Sequence, residues 1–333
     1  MKIAVDAMGG DNAPLAIVKG ALAAAEAVKD IRIILVGAKN RIIEAVATLP
    51  ENVSIVEAEE VIENDDKPLM AIRRKRNSSM VVALQMVKDG SADAVVSAGN
   101  TGAFMAGASL IVGRIPGISK PALAPALPTR DGKGVITVDI GATMDPKPEN
   151  LYQYALMGNL YAKTVFARSK PRIGLLNVGV EAEKGNELTK QTYQLLAQSK
   201  LNFIGNVEAR EVMDGRCDVL ICDGFVGNVL LKSMEGLAQS LFAEMKQAVV
   251  NGGVKGKIGA LLLRSTLKSL KDQLDYSEYG GSPLLGINGI CIKCHGSADA
   301  TTVKNTILKQ ACLLVKNQTI ASIAKIMEDY KCV

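Results

Sequence analysis

MKIAVDAMGGDNAPLA, residues 1–16, reads as a buried strand, a tight polar loop and the start of a helix. The apolar run Ile3-Ala4-Val5 ends at Asp6, the loop carries Gly9, Gly10, Asp11 and Asn12, and Pro14 opens an Ala/Leu/Val segment. In an open α/β sheet such loops sit at the carboxyl ends of strands, where ligands bind. Backbone N–H groups and the dipole of the following helix favour an anion there.

The alternation continues along the chain. Strands are expected over 2–6, 31–36, 53–57, 93–97, 134–139, 172–178, 202–205 and 218–222. Helices are expected over 14–29, 39–48, 68–89, 101–113, 149–167, 186–199 and 299–316. This pattern predicts βαβ units and a three-layer α/β/α fold with a mostly parallel sheet. Pro116, Pro121, Pro125 and Pro128 make 114–132 an irregular or edge segment. No linker or repeat divides the chain, so residues 1–333 read as a single two-lobed catalytic unit.

One region departs from the alternation. Residues 226–250 form a long helical pattern, Gly252-Gly253 break it, and 257–274 (KIGALLLRSTLKSLKDQL) read as its return, giving a protruding helical hairpin over 226–274. The second arm places Ile258, Leu262, Leu263, Leu267, Leu270 and Leu274 at helical spacing, with Lys257, Arg264, Lys268 and Lys271 as a basic component. Three readings of this arm stand side by side. It packs on the body or across a dimer, docks an acidic partner, or inserts Ile258, Leu261, Leu262 and Leu263 shallowly among lipid headgroups.

Composition narrows the partners. A net charge of +5, with no aromatics interleaved among the basic residues, argues against nucleic acid. The start of the chain has no secretory pattern, and no apolar run approaches the ~20 residues of a membrane span. The expected location is cytoplasmic, where the six cysteines are free thiols.

Six loops share a vocabulary of Gly, Asn, Asp, Ser and Thr: GGDN (9–12), SAGNTGA (97–103), DIGAT (139–143), NVGVEAEKGNE (177–187), DGFVGN (223–228) and KCHGSAD (293–299). Any one is an ordinary turn. Six in one α/β chain predict a polar crevice lined with backbone donors. No GxGxxG follows a strand and no GxxxxGK[ST] occurs, so a phosphate-like anion would be held by another arrangement. The crevice is expected to gather Asp6, Gly10, Asp11, Asn100, Thr101, Lys184, Gly185, Asn186, Asn228, Lys232, His295 and Ser297. Lys184 is the cation placed before a helix start, and His295 is the one histidine, with a pKa near neutrality. Cys291-Ile292-Lys293-Cys294-His295 has the spelling of a haem attachment site, but that chemistry goes with export. As a metal half-site it lacks a second pair, so two incidental thiols are expected.

VDAMGGDNAP, SAGNTGA, VDIGA, NVGVEAEKGNE, DGFVGNVLLKSMEG and YGGSPLLGINGICIKCHGSAD resemble, in order and spacing, the bacterial acyl-ACP:phosphate acyltransferases, the PlsX family. The resemblance covers nearly the whole chain. Thr143 stands where the family more commonly has Asn, which puts any specific role of that position in doubt. The resemblance implies a fold like the isocitrate/isopropylmalate dehydrogenases and phosphotransacetylases. It also implies transfer of a long-chain acyl group from acyl carrier protein to inorganic phosphate, giving acyl phosphate for phospholipid synthesis. It implies a homodimer touching the membrane, and the reading of the second arm makes Lys257, Ile258, Leu261, Leu262 and Arg264 the expected contact. A downstream membrane glycerol-3-phosphate acyltransferase is a further candidate partner. No metal or nucleotide cofactor is implied. Lys184, His295 and Asn228 are the expected catalytic residues. The alternatives are an acyl-CoA-dependent phosphotransacetylase and a non-enzymatic membrane scaffold, which would leave the six polar loops unexplained.

Overall fold

The computed structural model describes every residue except 47, 275–278, 332 and 333; the side chains of 270–274, 330 and 331 are likewise outside the description. Among the described residues twelve strands form two sheets: β1 (Lys2–Asp6), β2 (Arg32–Gly37), β3 (Val53–Glu57), β4 (Ala94–Ser97), β5 (Ala122–Leu123), β6 (Ala126–Leu127), β7 (Val135–Val138), β8 (Ile173–Asn177), β9 (Phe203–Glu208), β10 (Val219–Ile221), β11 (Ser282–Leu285) and β12 (Ile290–Lys293). The first sheet runs β3-β2-β1-β4-β12-β11-β5 and the second β6-β7-β10-β8-β9. Pairing is parallel except at β11, which is antiparallel to β12 and β5, and at β6–β7. The chain builds the first sheet, crosses at residues 122–127 to build the second, and returns to complete the first with β11 and β12.

Burial explains the parallel arrangement. β1, β4, β7 and β10 are buried almost throughout, as strands covered by helices on both faces must be. One core joins the sheets: Ile3, Val5 and Val96 of the first share an apolar cluster with Ile136, Leu175 and Ile221 of the second.

Several elements differ from their sequence reading. Residues 282–285 and 290–293 are strands absent from the expected set. Pro283 argues against a strand because it cannot donate, yet here its carbonyl accepts from the Ala124 N–H at 3.0 Å. The helix expected over 68–89 is two, Pro68–Arg74 and Ser79–Lys88, and the break lets the Ser79 hydroxyl reach Asp6 at 2.6 Å. The helix over 299–316 carries a π turn at Thr306–Ala311, where Thr306 Oγ1 serves both the Thr302 carbonyl and the Gly281 N–H. Thr319–Lys331 adds a helix the periodicity did not reveal.

The long helix spans Gly224–Asn251. The expected single arm 257–274 is instead two helices, Gly253–Leu262 and Arg264–Leu274, and the first of them begins earlier than expected, at Gly253, whose φ of +57° suits glycine. Val254 (74 %), Leu261 (68 %) and Leu262 (78 %) stand exposed, so this segment does not pack on the body of its own chain. The side chains of Leu270, Lys271 and Leu274, and Cys332, lie outside the described residues. No helix among the described residues is long and apolar enough to cross a membrane.

The start of the long helix is set by close approach. A Cβ on Gly227 would lie 1.9 Å from the Asp139 carbonyl oxygen, and one on Gly224 would lie 2.6 Å from that of Thr143. Gly227→Ala is therefore expected to cost about 1–3 kcal/mol or more, since backbone must move to admit the methyl group. A denaturant midpoint equal to that of the parent protein would show that the helix docks elsewhere.

Candidate active site

Strand register brings the first group of polar residues together. Asp6, Ser97 and Lys293 end three adjacent parallel strands and lie in one row, with Asp6 paired to Ser97 and Ser97 to Lys293. Asp6 is buried and accepts from the hydroxyls of Ser97 and Ser79, each at 2.6 Å. Burial raises its pKa, and the two hydroxyls oppose that rise. Lys293 is also buried, and its Nζ donates to the carbonyls of Ala98 and Cys294. Burial pulls it down to about 8, with Asp6 and Asp11 partly restoring the charged form.

The loops that follow these strands are tied to one another. The Asp11 N–H donates to the Gly296 carbonyl at 2.8 Å, and Asn12 Nδ2 reaches the carbonyls of Ser297 and Ala298. Gly10 sits at φ +105°, where a Cβ would also strike Ala98 at 2.9 Å. Asn100 caps the helix Thr101–Gly107 through the Ala103 N–H and holds the carbonyls of Glu63 and Asn64. Asp6, Gly10 and Asn100 thus hold these loops in place and do not themselves line the cavity described next.

The second sheet contributes through Asp139, which ends the strand run at β7. Its carboxylate accepts the backbone N–H groups of Leu123, Gly141, Ala142 and Thr143. Burial raises it to about 6 against those four bonds. Its place is to fix the loop on which the long helix rests.

Between the lobes lies a cavity of about 190 Å³. Thr101, Asn228, Lys232, Glu235, Lys293 and His295 are its chemically active lining, with Leu127, Ile140 and Leu231 as apolar wall. His295 Nδ1 is 2.8 Å from Ser297 Oγ and accepts the Ser297 N–H at 3.3 Å, which leaves the proton of the neutral ring on Nε2. Burial lowers its pKa, Glu235 opposes, and the Lys232 and Lys293 charges add to the fall. Lys232 pairs with Glu235 Oε2 at 2.7 Å.

The structure thus brings Thr101, Asn228, Lys232 and His295 together, with Asp11 and Ser297 in the adjoining loops. It does not place Lys184, Gly185 and Asn186 in that lining. Lys184 is exposed, its carbonyl taken by Asn177 Nδ2, while Asn186 caps the helix Glu187–Ala197. Gly185 and Asn186 instead border a second cavity of about 680 Å³, walled by Leu151, Leu176, Val226, Val229 and Leu230. Val226, Val229, Leu230 and Ser233 face this cavity, whereas Asn228, Leu231, Lys232 and Glu235 face the first. Each set has i, i+3, i+4, i+7 spacing, and the two are offset by two residues, so they occupy opposite faces of the helix.

Sequence reading missed Lys293 and Glu235. The signal for the first was a lysine closing the apolar strand ICIK beside Cys294-His295; for the second, a carboxylate three residues after Lys232. Cys291 and Cys294 are buried free thiols in separate apolar clusters, as residues three apart on an extended segment must be.

The fold is that of the phosphotransacetylases. A phosphotransacetylase from Streptococcus pyogenes aligns over 96 % of this chain and 94 % of its own with a TM-score of 0.59 at 15 % identity. A branched-chain phosphotransacylase from Enterococcus faecalis V583 aligns over 95 % and 99 % with a TM-score of 0.56 at 13 % identity. These likenesses show the architecture alone. A family model described as "Fatty acid synthesis protein" matches residues 1–322. A phosphate acyltransferase of Geobacillus thermodenitrificans is 51 % identical over 98 % of this chain and 99 % of its own length, and one of Streptococcus equi subsp. zooepidemicus is 51 % identical over 97 % and 96 %. The chain belongs to this family of phosphate acyltransferase enzymes of fatty acid and phospholipid synthesis.

Burial pulls the Lys293 ammonium down from the usual lysine range to about 8. Binding of inorganic phosphate should therefore weaken as pH rises through that value, by up to about tenfold per unit, because the affinity is linked to one proton. Calorimetric titrations from pH 6.5 to 9.5 should show this limb in the parent protein and lose it in Lys293→Met. An identical limb in both would remove Lys293 from the anion site.

Proposed function

We propose that the enzyme transfers a long-chain acyl group from acyl carrier protein to inorganic phosphate, in the cavity between the two lobes. The observation that carries this reading is the convergence of Lys232, Lys293, His295 and Asn228 on one enclosed space. Phosphate needs cations and fixed N–H donors, and the tetrahedral oxyanion needs donors already in place. An oxygen of HPO4²⁻ attacks the thioester carbonyl, the C–S bond breaks, and the phosphate's proton goes to the departing thiolate. The products are acyl phosphate and the carrier thiol. The neutral His295 ring donates through Nε2 to phosphate or relays that proton. Thiolate is a good leaving group, so alignment of the two substrates supplies much of the rate, and no covalent enzyme intermediate is needed. The 680 Å³ apolar-walled space supports a place for a long acyl tail.

Incubation with acyl carrier protein thioester and phosphate should give acyl phosphate, with acyl-CoA run in parallel to identify the donor. His295→Ala should lower turnover by roughly 10²-fold or more across the neutral range. Full activity of that variant would refute its role. Lys184→Ala discriminates between the two cavities. A comparable loss means the 184–186 loop reaches the same reaction, and unchanged kinetics at subsaturating phosphate removes Lys184 from the site.

The exposed apolar segment after Gly252 supports transient contact with a membrane surface by a cytoplasmic enzyme. Ile258, Leu261, Leu262 and Leu263 are all more than half exposed, and Lys257 and Arg264 flank them. Each basic residue near anionic headgroups contributes about 1 kcal/mol, which permits reversible attachment. Exposed Phe225, Val229, Leu237 and Leu241 along the long helix support pairing with a second copy. Replacing Leu261 and Leu262 by Glu should release the protein from anionic vesicles while its activity on soluble substrates persists. Continued co-sedimentation would place the contact elsewhere, and dissociation into monomers would assign the leucines to the dimer.

A further inference from the structure

We propose that Glu235 makes the cavity selective for an anion that carries a proton, accepting a hydrogen bond from the P–OH group of phosphate and thereby excluding sulfate. This rests on the reading that the cavity is the phosphate site. Glu235 lines that cavity one helical turn beyond Lys232, and its side chain is only 11 % exposed. Its Oε2 is held by Lys232 Nζ at 2.7 Å. Its Oε1 is buried and, among the described residues, has no hydrogen-bond donor. A buried acceptor without a donor is costly, and a carboxylate can do nothing but accept.

The surrounding charges sharpen the point. Lys232, Lys293 and His295 make the cavity attractive to an anion, yet a carboxylate sits among them. A fully deprotonated anion would bring only acceptors and negative charge to Oε1. A phosphate that keeps one proton brings the missing donor once the carboxylate turns to bare Oε1, now shielded from solvent, to the cavity. At neutral pH inorganic phosphate carries at least one proton and sulfate carries none, although the two are alike in shape. Arsenate carries a proton as phosphate does and passes the same test. Sites built to bond one group reject an analogue lacking it far more strongly than they reject a change of size. The product fails the test as well. Once the phosphate's proton has gone to the thiol, the acyl phosphate has nothing to donate to Oε1, which favours its departure.

Calorimetry with phosphate, arsenate and sulfate on the full chain tests this. The parent protein should bind phosphate and arsenate alike and sulfate at least ~100-fold more weakly. Glu235→Gln offers an amide donor in place of the carboxylate, so sulfate should come within about tenfold of phosphate and compete with it in turnover. Lys232→Met keeps the carboxylate and should weaken both anions without changing their ratio. The double variant Lys232→Met/Glu235→Gln removes both charges of the pair and carries the same expectation of lost selectivity if the single Gln variant does not fold. A Gln variant that binds phosphate and still excludes sulfate overturns the proposal while leaving the phosphate site in place. If Lys293→Met and Glu235→Gln both leave the phosphate KM unchanged, the cavity is not the phosphate site, and the underlying reading fails with it.

Discussion

The row Asp6–Ser97–Lys293 is the constraint from which the site follows. Three parallel strands end side by side, and register alone places a buried carboxylate, a hydroxyl and a buried ammonium across them. Neither charge is comfortable there: burial pushes Asp6 up and Lys293 down. Each is made tolerable by fixed partners, hydroxyls for the acid and backbone carbonyls for the lysine. A buried charge keeps its ionised form only where such partners stand ready. The loops at 9–12, 98–100 and 295–298 are ordered around this row. Donors and charges around the cavity are therefore fixed before any ligand arrives, the arrangement that the proposed electrostatic catalysis requires.

Asp139 serves the second lobe in a different way. It spends its carboxylate on four backbone N–H groups and so turns a glycine-containing loop into a rigid seat. Gly224 and Gly227 let the long helix settle onto that seat at backbone distance. The positions of Asn228, Lys232 and Glu235 are consequences of that docking, because they lie within the next turns of the same helix. Chemistry from the first lobe and from the helix on the second meets across the cleft.

Much of this was legible from residue order. Strand–loop–helix alternation predicted both the parallel sheets and the crowding of polar loops at strand ends. His295, Asn228, Lys232 and Thr101 were legible because they stand in loops or first helical turns of unusual composition. Lys293 was harder to see because it closes a strand of otherwise apolar residues, where a lysine resembles an exposed edge position. Only the register against Ser97 turns it inward. Glu235 was hidden for a related reason: on a helix three residues from a lysine, it has the spacing of an ordinary surface ion pair. The two-sheet division was also out of reach, since β11 and β12 join the first sheet from more than a hundred residues away. The 184–186 loop illustrates the converse. Its composition matches the other loops, but its asparagine is occupied in capping a helix, and the loop opens on the opposite side of the long helix.

One rod thus serves as a wall of two rooms. The helix Gly224–Asn251 presents Asn228, Lys232 and Glu235 to the smaller, charged space and Val226, Val229 and Leu230 to the larger, apolar one. Its first turn is seated at backbone distance on Asp139 and Thr143. Its residues therefore set the width of both spaces at once. The two spaces are divided by a single partition.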